Sequence, residues 1–229
     1  MSLVLNIETA TPVCSVALGE EGNLLGFKET ADGKSHATHI TIFIEELLKE
    51  CGKSLNDLDA IAVSKGPGSY TGLRIGVSTA KGLCYSLDKP LISVDTMMSM
   101  ANAFAHEDDR SRLLCPMLDA RRMEVYSAVY DAALQEKRAT SAVIIDENAF
   151  SDFLKSSKVL FFGDGADKCE PILGKHKNAR FDVDYQISAT SMVSLSAAKF
   201  EHELFEDIAY FEPYYLKEFV AGKPKKLIP

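Results

Sequence analysis

The stretch 65–76, Lys-Gly-Pro-Gly-Ser-Tyr-Thr-Gly-Leu-Arg-Ile-Gly, holds the residues of this chain best suited to chemistry. Gly66, Pro67, Gly68, Ser69, Tyr70, Thr71 and Gly72 stand between an apolar run at 59–64 and a helical pattern at 73–87. A glycine-rich turn opening a helix offers free backbone N–H groups and a positive dipole end, the usual means of cradling a phosphate. The known phosphate patterns do not fit. A P-loop needs Lys-Ser/Thr after its second glycine, yet Thr71 stands five residues after Gly66 and Leu73 five after Gly68. The dinucleotide pattern G-x-G-x-x-G starts at Gly66 and ends on Thr71. A nucleophile elbow read from Gly66 finds Gly68 where its serine must be. No His or Lys stands at a telling distance from Ser69 or Thr71, so these hydroxyls read as helix caps and the loop as a structural turn.

His36 and His39 form H-x-x-H without the glutamate of H-E-x-x-H, and read as surface or capping histidines rather than metal ligands. Asp119 precedes Ala120-Arg121-Arg122, where turn chemistry alone accounts for an acid. Met97, Met98 and Met100 read as core filler.

The elements that must carry these residues emerge from periodicity. Strand patterns at 3–8, 13–18 and 24–28, joined by short turns, predict a meander. Ile40, Ile44, Leu47, Leu48 and Cys51 then recur at helical spacing before Gly52. A strand at 60–64 enters the glycine loop, and Leu73, Val77, Ala80, Cys84 and Leu87 line one face of the helix that leaves it. A second line on that helix, Gly72, Gly76, Thr79 or Ala80, then Leu83, is small and uncharged. It fits either close packing inside the domain or the approach of a partner's helix. Lys89-Pro90 ends the helix, 91–94 is a strand, and Asp95 or Thr96 caps a further helix to about 105.

The order β-β-β-α-β-α-β-α resembles one half of the actin, hexokinase and Hsp70 architecture. A charged linker at 106–112 leads to a shortened repeat: strands at 113–118, 123–130, 134–138 and 143–145, a helix at 147–154, a strand at 159–162, the turn Gly163-Asp164-Gly165, and a helix at 190–203. The expected class is α/β, two-lobed and ASKHA-like, with an N-terminal lobe at 1–105 and a smaller one at 106–229 whose tail is expected to return to the first. Lysines at 223, 225 and 226 read as a solvated tail.

Composition bounds the partners. The chain has 229 residues, formal net charge −8 and five widely spaced cysteines without C-x-x-C. That spacing fits reduced thiols rather than a disulfide framework or zinc site. The acidic balance makes a poor nucleic-acid binder by itself. With no signal-like start and no membrane-length apolar run, a cytoplasmic protein without membrane contact is expected.

Four segments resemble the TsaB (YeaZ) family: 7–18, 57–76, Leu118-Asp119-Ala120-Arg121-Arg122-Met123-Glu124-Val125-Tyr126, and Pro213-Tyr214-Tyr215-Leu216. The resemblance covers 1–130 most fully, and the block at 57–76 is its most specific part. It implies a subunit that pairs with the catalytic paralogue TsaD and is joined by the ATPase TsaE. The complex transfers threonylcarbamoyl from its adenylate to the adenosine next to the anticodon of tRNA. It also implies that ATP and a metal are used by the partners, with no cofactor in this chain, and that tRNA is met indirectly. TsaD holds its metal partly through two histidines at i and i+4. Thr96 and Met100 stand at those places here, and a hydroxyl and a thioether do not replace imidazoles on such a metal. The actin-like fold puts an acid on each lobe, which makes Glu8 and Asp119 candidates for a vestigial phosphate or cation site; Glu8 stands where most relatives carry Asp.

A non-catalytic binding subunit is therefore expected, its partner surface formed by the helices at 38–51 and 71–87 through Ile40, Phe43, Arg74, Ile75, Gly76, Ser78 and Thr79. In isolation that surface would support a homodimer. Gly76→Arg is expected to break pairing while leaving the isolated chain folded. The alternatives are a stand-alone metallopeptidase of the glycoprotease type, an ATP-binding enzyme, or a sugar-kinase remnant on the same fold.

Overall fold

The computed structural model describes residues 2–31, 36–105 and 111–217; Gly33, most of the charged linker and the lysine-rich tail lie outside them. Its first sheet opens with an antiparallel meander of β1 (Leu3–Glu8), β2 (Cys14–Glu20) and β3 (Asn23–Thr30). Helix α1 (His36–Glu50) leads to β4 (Ala60–Ser64), and α2 (Tyr70–Leu87) leads to β5 (Leu91–Val94). Both later strands run parallel in the order β3-β2-β1-β4-β5. Helix α3 (Thr96–Asn102) closes this half.

The second half repeats the plan. Strands β6 (Leu113–Asp119), β7 (Glu124–Tyr130), β8 (Glu136–Ile144), β9 (Val159–Phe162) and β10 (Ala179–Asp182) stand in the order β10-β9-β6-β7-β8, the same arrangement read from the other end. The helices between them have shrunk. Where α1 has 15 residues, α4 (Ser151–Leu154) has 4; where α2 has 18, α5 (Glu170–Leu173) has 4. This is the two-lobed actin-like fold with a reduced second lobe.

Three element boundaries differ from the sequence reading. The strands expected at 134–138 and 143–145 are the single strand β8. The helix expected from 147 starts only at Ser151, because Phe150 holds a left-handed φ of 60° that a helix interior excludes. The helix expected at 190–203 begins as a 3₁₀ turn, Ala189–Met192, and continues as α6 (Val193–Glu201).

Strand β1 is buried on both faces. Leu3, Leu5 and Ile7 meet Ile40, Ile44 and Leu47 of α1 and Val77 and Cys84 of α2. On the other face Val4, with Ala17 and Ile92, meets Met192 and Val193. The closing helices cross over between lobes. Met97, Met100 and Ala101 of α3 pack with Leu114, Leu118 and Phe162 of the second sheet, whereas α6 lies on the first. The chain after α6 also runs along the first lobe: Glu206 bridges to Leu91 and Tyr214 N–H donates to the Lys65 carbonyl at 2.7 Å. The five cysteines form no disulfide, and four of them are buried.

Candidate functional site: the glycine loop and the acid beneath it

The fold places two acid-and-glycine arrangements in equivalent positions. In the first lobe β1 ends on Glu8, and β4 ends just before Gly66-Pro67-Gly68. In the second, β6 ends on Asp119 and β9 just before Gly163-Asp164-Gly165. The leading glycines adopt nearly the same left-handed backbone, φ 108° at Gly66 and 106° at Gly163, which a side chain would resist.

The glycines of the first lobe serve close packing within the chain. A Cβ on Gly68 would stand 2.5 Å from the Ala10 carbonyl oxygen, on Gly72 2.1 Å from the Thr9 carbonyl oxygen, and on Gly76 2.2 Å from Thr9 Oγ1. The small-residue line of α2 therefore seats on the β1–β2 turn. In a phosphate cradle the loop amides face a ligand; here the Ser69 N–H donates to the Ala10 carbonyl at 2.6 Å. Ser69 Oγ caps α2 by accepting from the Gly72 N–H at 3.2 Å. Thr71 is exposed, and Tyr70 turns its ring toward Tyr215. The residues present do not fit a nucleotide phosphate at this loop.

Glu8 lies under the loop, fully buried. Its Oε1 accepts from the Ala10 N–H at 2.6 Å and the Ser64 hydroxyl at 2.8 Å, while Oε2 has no hydrogen-bond partner among the described residues. Burial pushes its pKa from 4.5 up to about 7, against the pull of these hydrogen bonds. Asp119 differs in kind. It is exposed, its Oδ1 accepts from the Arg121 N–H, and it pairs with Lys168. The neighbouring Asp164 accepts from the Asp119 N–H, and burial raises its carboxyl.

Thr96 and Met100 are part of the same construction. Thr96 Oγ1 accepts from the Gly66 N–H at 3.0 Å, and its own N–H returns to the Gly66 carbonyl at 3.3 Å. Met100 is fully buried in the seam between lobes, with its methyl against Gly163. Thr96 thus pins one glycine loop and Met100 seals against the other. His36 is half-buried and donates to the Thr11 carbonyl; burial, the largest influence, lowers its pKa. His39 lies against Phe43, ring centroids 5.3 Å apart. Among the described residues no three His, Cys, Asp or Glu side chains gather as a metal site would need.

The residues expected on a partner surface divide. Arg74 and Ser78 are exposed on α2, and Ile75 and Thr79 are half-exposed beside them. Arg74 is already engaged internally, 4.2 Å over the Tyr70 ring and donating to the Tyr215 hydroxyl at 3.2 Å. Phe43 is partly buried against the core. Ile40 and Gly76 do not face outward. Ile40 is 1% exposed because it belongs to the apolar stripe of α1 on the sheet, and Gly76 seats on Thr9. Gly76→Arg would therefore disrupt the chain's own packing. Sequence reasoning missed Tyr85, 85% exposed on the outer face of α2, although its offset from the core stripe is readable in the spacing.

Fold and loop define an actin-like protein whose glycines and acid close upon themselves. A family model described as tRNA N6-adenosine threonylcarbamoyltransferase, TsaD, matches residues 29–227. The Escherichia coli tRNA threonylcarbamoyladenosine biosynthesis protein TsaB is 32% identical over 226 residues, covering 96% of each chain. The Bacillus subtilis protein of the same name is 35% identical over 166 residues, 70% of each chain. The solved structure of YeaZ from Pseudomonas aeruginosa superposes with a TM-score of 0.81 at 26% identity, covering 94% of this chain and all of that one. The chain belongs to the TsaB family, within the wider group that the TsaD model describes.

Proposed function

We propose that this chain is a non-catalytic scaffold subunit in the synthesis of threonylcarbamoyladenosine on tRNA. It pairs with a TsaD-type catalytic paralogue, and the pair recruits a TsaE-type ATPase. ATP and the metal are used by those partners in the cytoplasm, and the complex brings in tRNA. The relatives' names support the pathway. The observation that carries the scaffold reading is the use made of Thr96 and Met100. One is spent on pinning Gly66 and the other on filling the seam between lobes, so neither position is open to a metal. Glu8, closed beneath the glycines, offers no route for a phosphate.

The outer face of α2, with Arg74, Ser78 and Tyr85, is the surface we assign to the partner; among the described residues no helix is long and apolar enough to cross a membrane. Alone, the same face would support a homodimer. Ser78→Arg tests this, because Ser78 is exposed and the change leaves the core intact. The variant should keep the wild-type Tm, lose co-purification with TsaD, and fail to support tRNA modification in a mixture of TsaD, TsaE and the adenylate. An intact variant complex would place the interface elsewhere. Stoichiometric metal on His36 and His39, or micromolar ATP affinity without partners, would favour the enzyme readings instead.

A further inference from the structure

The β6–β7 hairpin carries a feature the scaffold role leaves unexplained. Its tip holds two consecutive non-glycine residues in the left-handed region, Arg121 at φ 69° and Arg122 at φ 51°. Hairpin tips with such backbones are normally built from Asn and Gly, which adopt them with little strain. The turn is well closed, with Ala120 N–H donating to the Glu124 carbonyl at 3.1 Å and Glu124 N–H to the Arg121 carbonyl at 3.3 Å. The strain is thus held by the surrounding ladder, and among the described residues no hydrogen bond or ion pair of an arginine side chain offsets it.

Both arginines are exposed. The ion pairs of this tip join Lys168 to Asp119 and Lys217 to Glu124, and neither guanidinium takes part among the described residues. Two fixed positive charges therefore project from a chain of net charge −8. Residues kept in a costly conformation without an internal partner point to an external one. A guanidinium fork suits phosphate oxygens, and a protruding tip suits a backbone read without a pocket.

We infer that Arg121 and Arg122 contact the phosphate backbone of the RNA that the assembled complex modifies. This rests on the tRNA-modification reading above, and adds a direct contact from a subunit otherwise expected to meet RNA only through its partners. Two double variants separate charge from strain. Arg121→Asn with Arg122→Gly removes both; Arg121→Gln with Arg122→Gln removes the charge and keeps the backbone demand.

Each variant is assembled with TsaD and TsaE and titrated with unmodified tRNA transcript over a range of salt. The Asn-Gly variant should gain a few degrees in Tm and the Gln-Gln variant should gain none. In both, affinity should fall and the slope of log K against log salt should shrink by roughly two, one for each phosphate that an arginine no longer neutralises. Wild-type affinity and slope in both variants would overturn the proposal. So would variants that no longer assemble with TsaD, since the tip would then be a protein contact. A wild-type chain that does not assemble with TsaD would remove the parent reading, and this one with it.

Discussion

Glu8→Gln tests the buried acid most directly. The substitution keeps the shape of the side chain and an oxygen for the Ala10 N–H and Ser64 hydroxyl, and removes the charge. A shift from 4.5 to about 7 means that ionised Glu8 weakens the fold by roughly 3 kcal/mol above pH 7. Proton counting gives the sign. Between the unfolded value near 4.5 and the folded value near 7, the native chain holds a proton that the unfolded chain has released. Stability therefore falls as pH rises through this window and levels off above it. His36 acts in the opposite sense: its lowered pKa means stability is lost as pH falls below the usual histidine value of 6.5. That slope is common to both proteins and cancels in their difference. Urea unfolding at pH 5, 6, 7 and 8 reads that difference. The Gln variant should gain about 3 kcal/mol on the wild type between pH 5 and pH 8, since of the two side chains only Glu8 ionises over that range, although the amide brings two unpartnered donors where the protonated acid brings one. A stability difference that does not change with pH would refute the reasoning, because it would mean Glu8 keeps the same charge throughout.

Two further predictions concern the loop. Gly76→Ala should lower stability by roughly 1–3 kcal/mol, because its Cβ would stand 2.2 Å from Thr9 Oγ1 and one of the two elements must move; an unchanged Tm would show that the turn yields freely. Thr96→Val should cost roughly 1–3 kcal/mol by leaving the Gly66 N–H without its acceptor, and should speed hydrogen exchange at that amide while Thr96→Ser restores it; unaltered exchange at Gly66 would deny Thr96 its pinning role.

The fold is legible in the sequence because its signals are periodic. The meander, the apolar stripes of α1 and α2 and the shortened second half all repeat at spacings a sequence displays. The direction of the small-residue line on α2 is not legible. A run of Gly72 and Gly76 permits close approach but does not say of what, and only the placement of Thr9 shows that the approach is internal. Ile40 meets the same limit: helical spacing groups residues on one face without saying whether that face meets the sheet or the solvent. Glu8 can be singled out by type, but its burial depends on the 64–76 segment folding over it, a contact between residues more than fifty positions apart. The crossing of α3 and α6 between lobes likewise leaves no local trace, since each helix carries an apolar face suited to either sheet.

The internal repeat shows how one plan yields unequal halves. Both lobes keep the strand order, the terminal acid and the left-handed glycine after the fourth strand. They diverge beyond that glycine: 18 residues of helix in the first lobe, and a 3₁₀ turn with 4 residues of helix in the second. A long helix seated on glycines is fixed along one side by its own chain and keeps its opposite side free of the core, although Arg74 there is held by Tyr70 and Tyr215. Ser78 and Tyr85 lie on that free side, where their identity does not affect the core. In the second lobe the short helix presents no such surface, and the two arginines of the strained hairpin tip stand exposed there. Each lobe thus releases one surface from the work of folding, polar with one exposed tyrosine in the first and cationic in the second. Protein and polyanion would accordingly meet this chain on different lobes, so that variants of one surface should leave the other's binding intact.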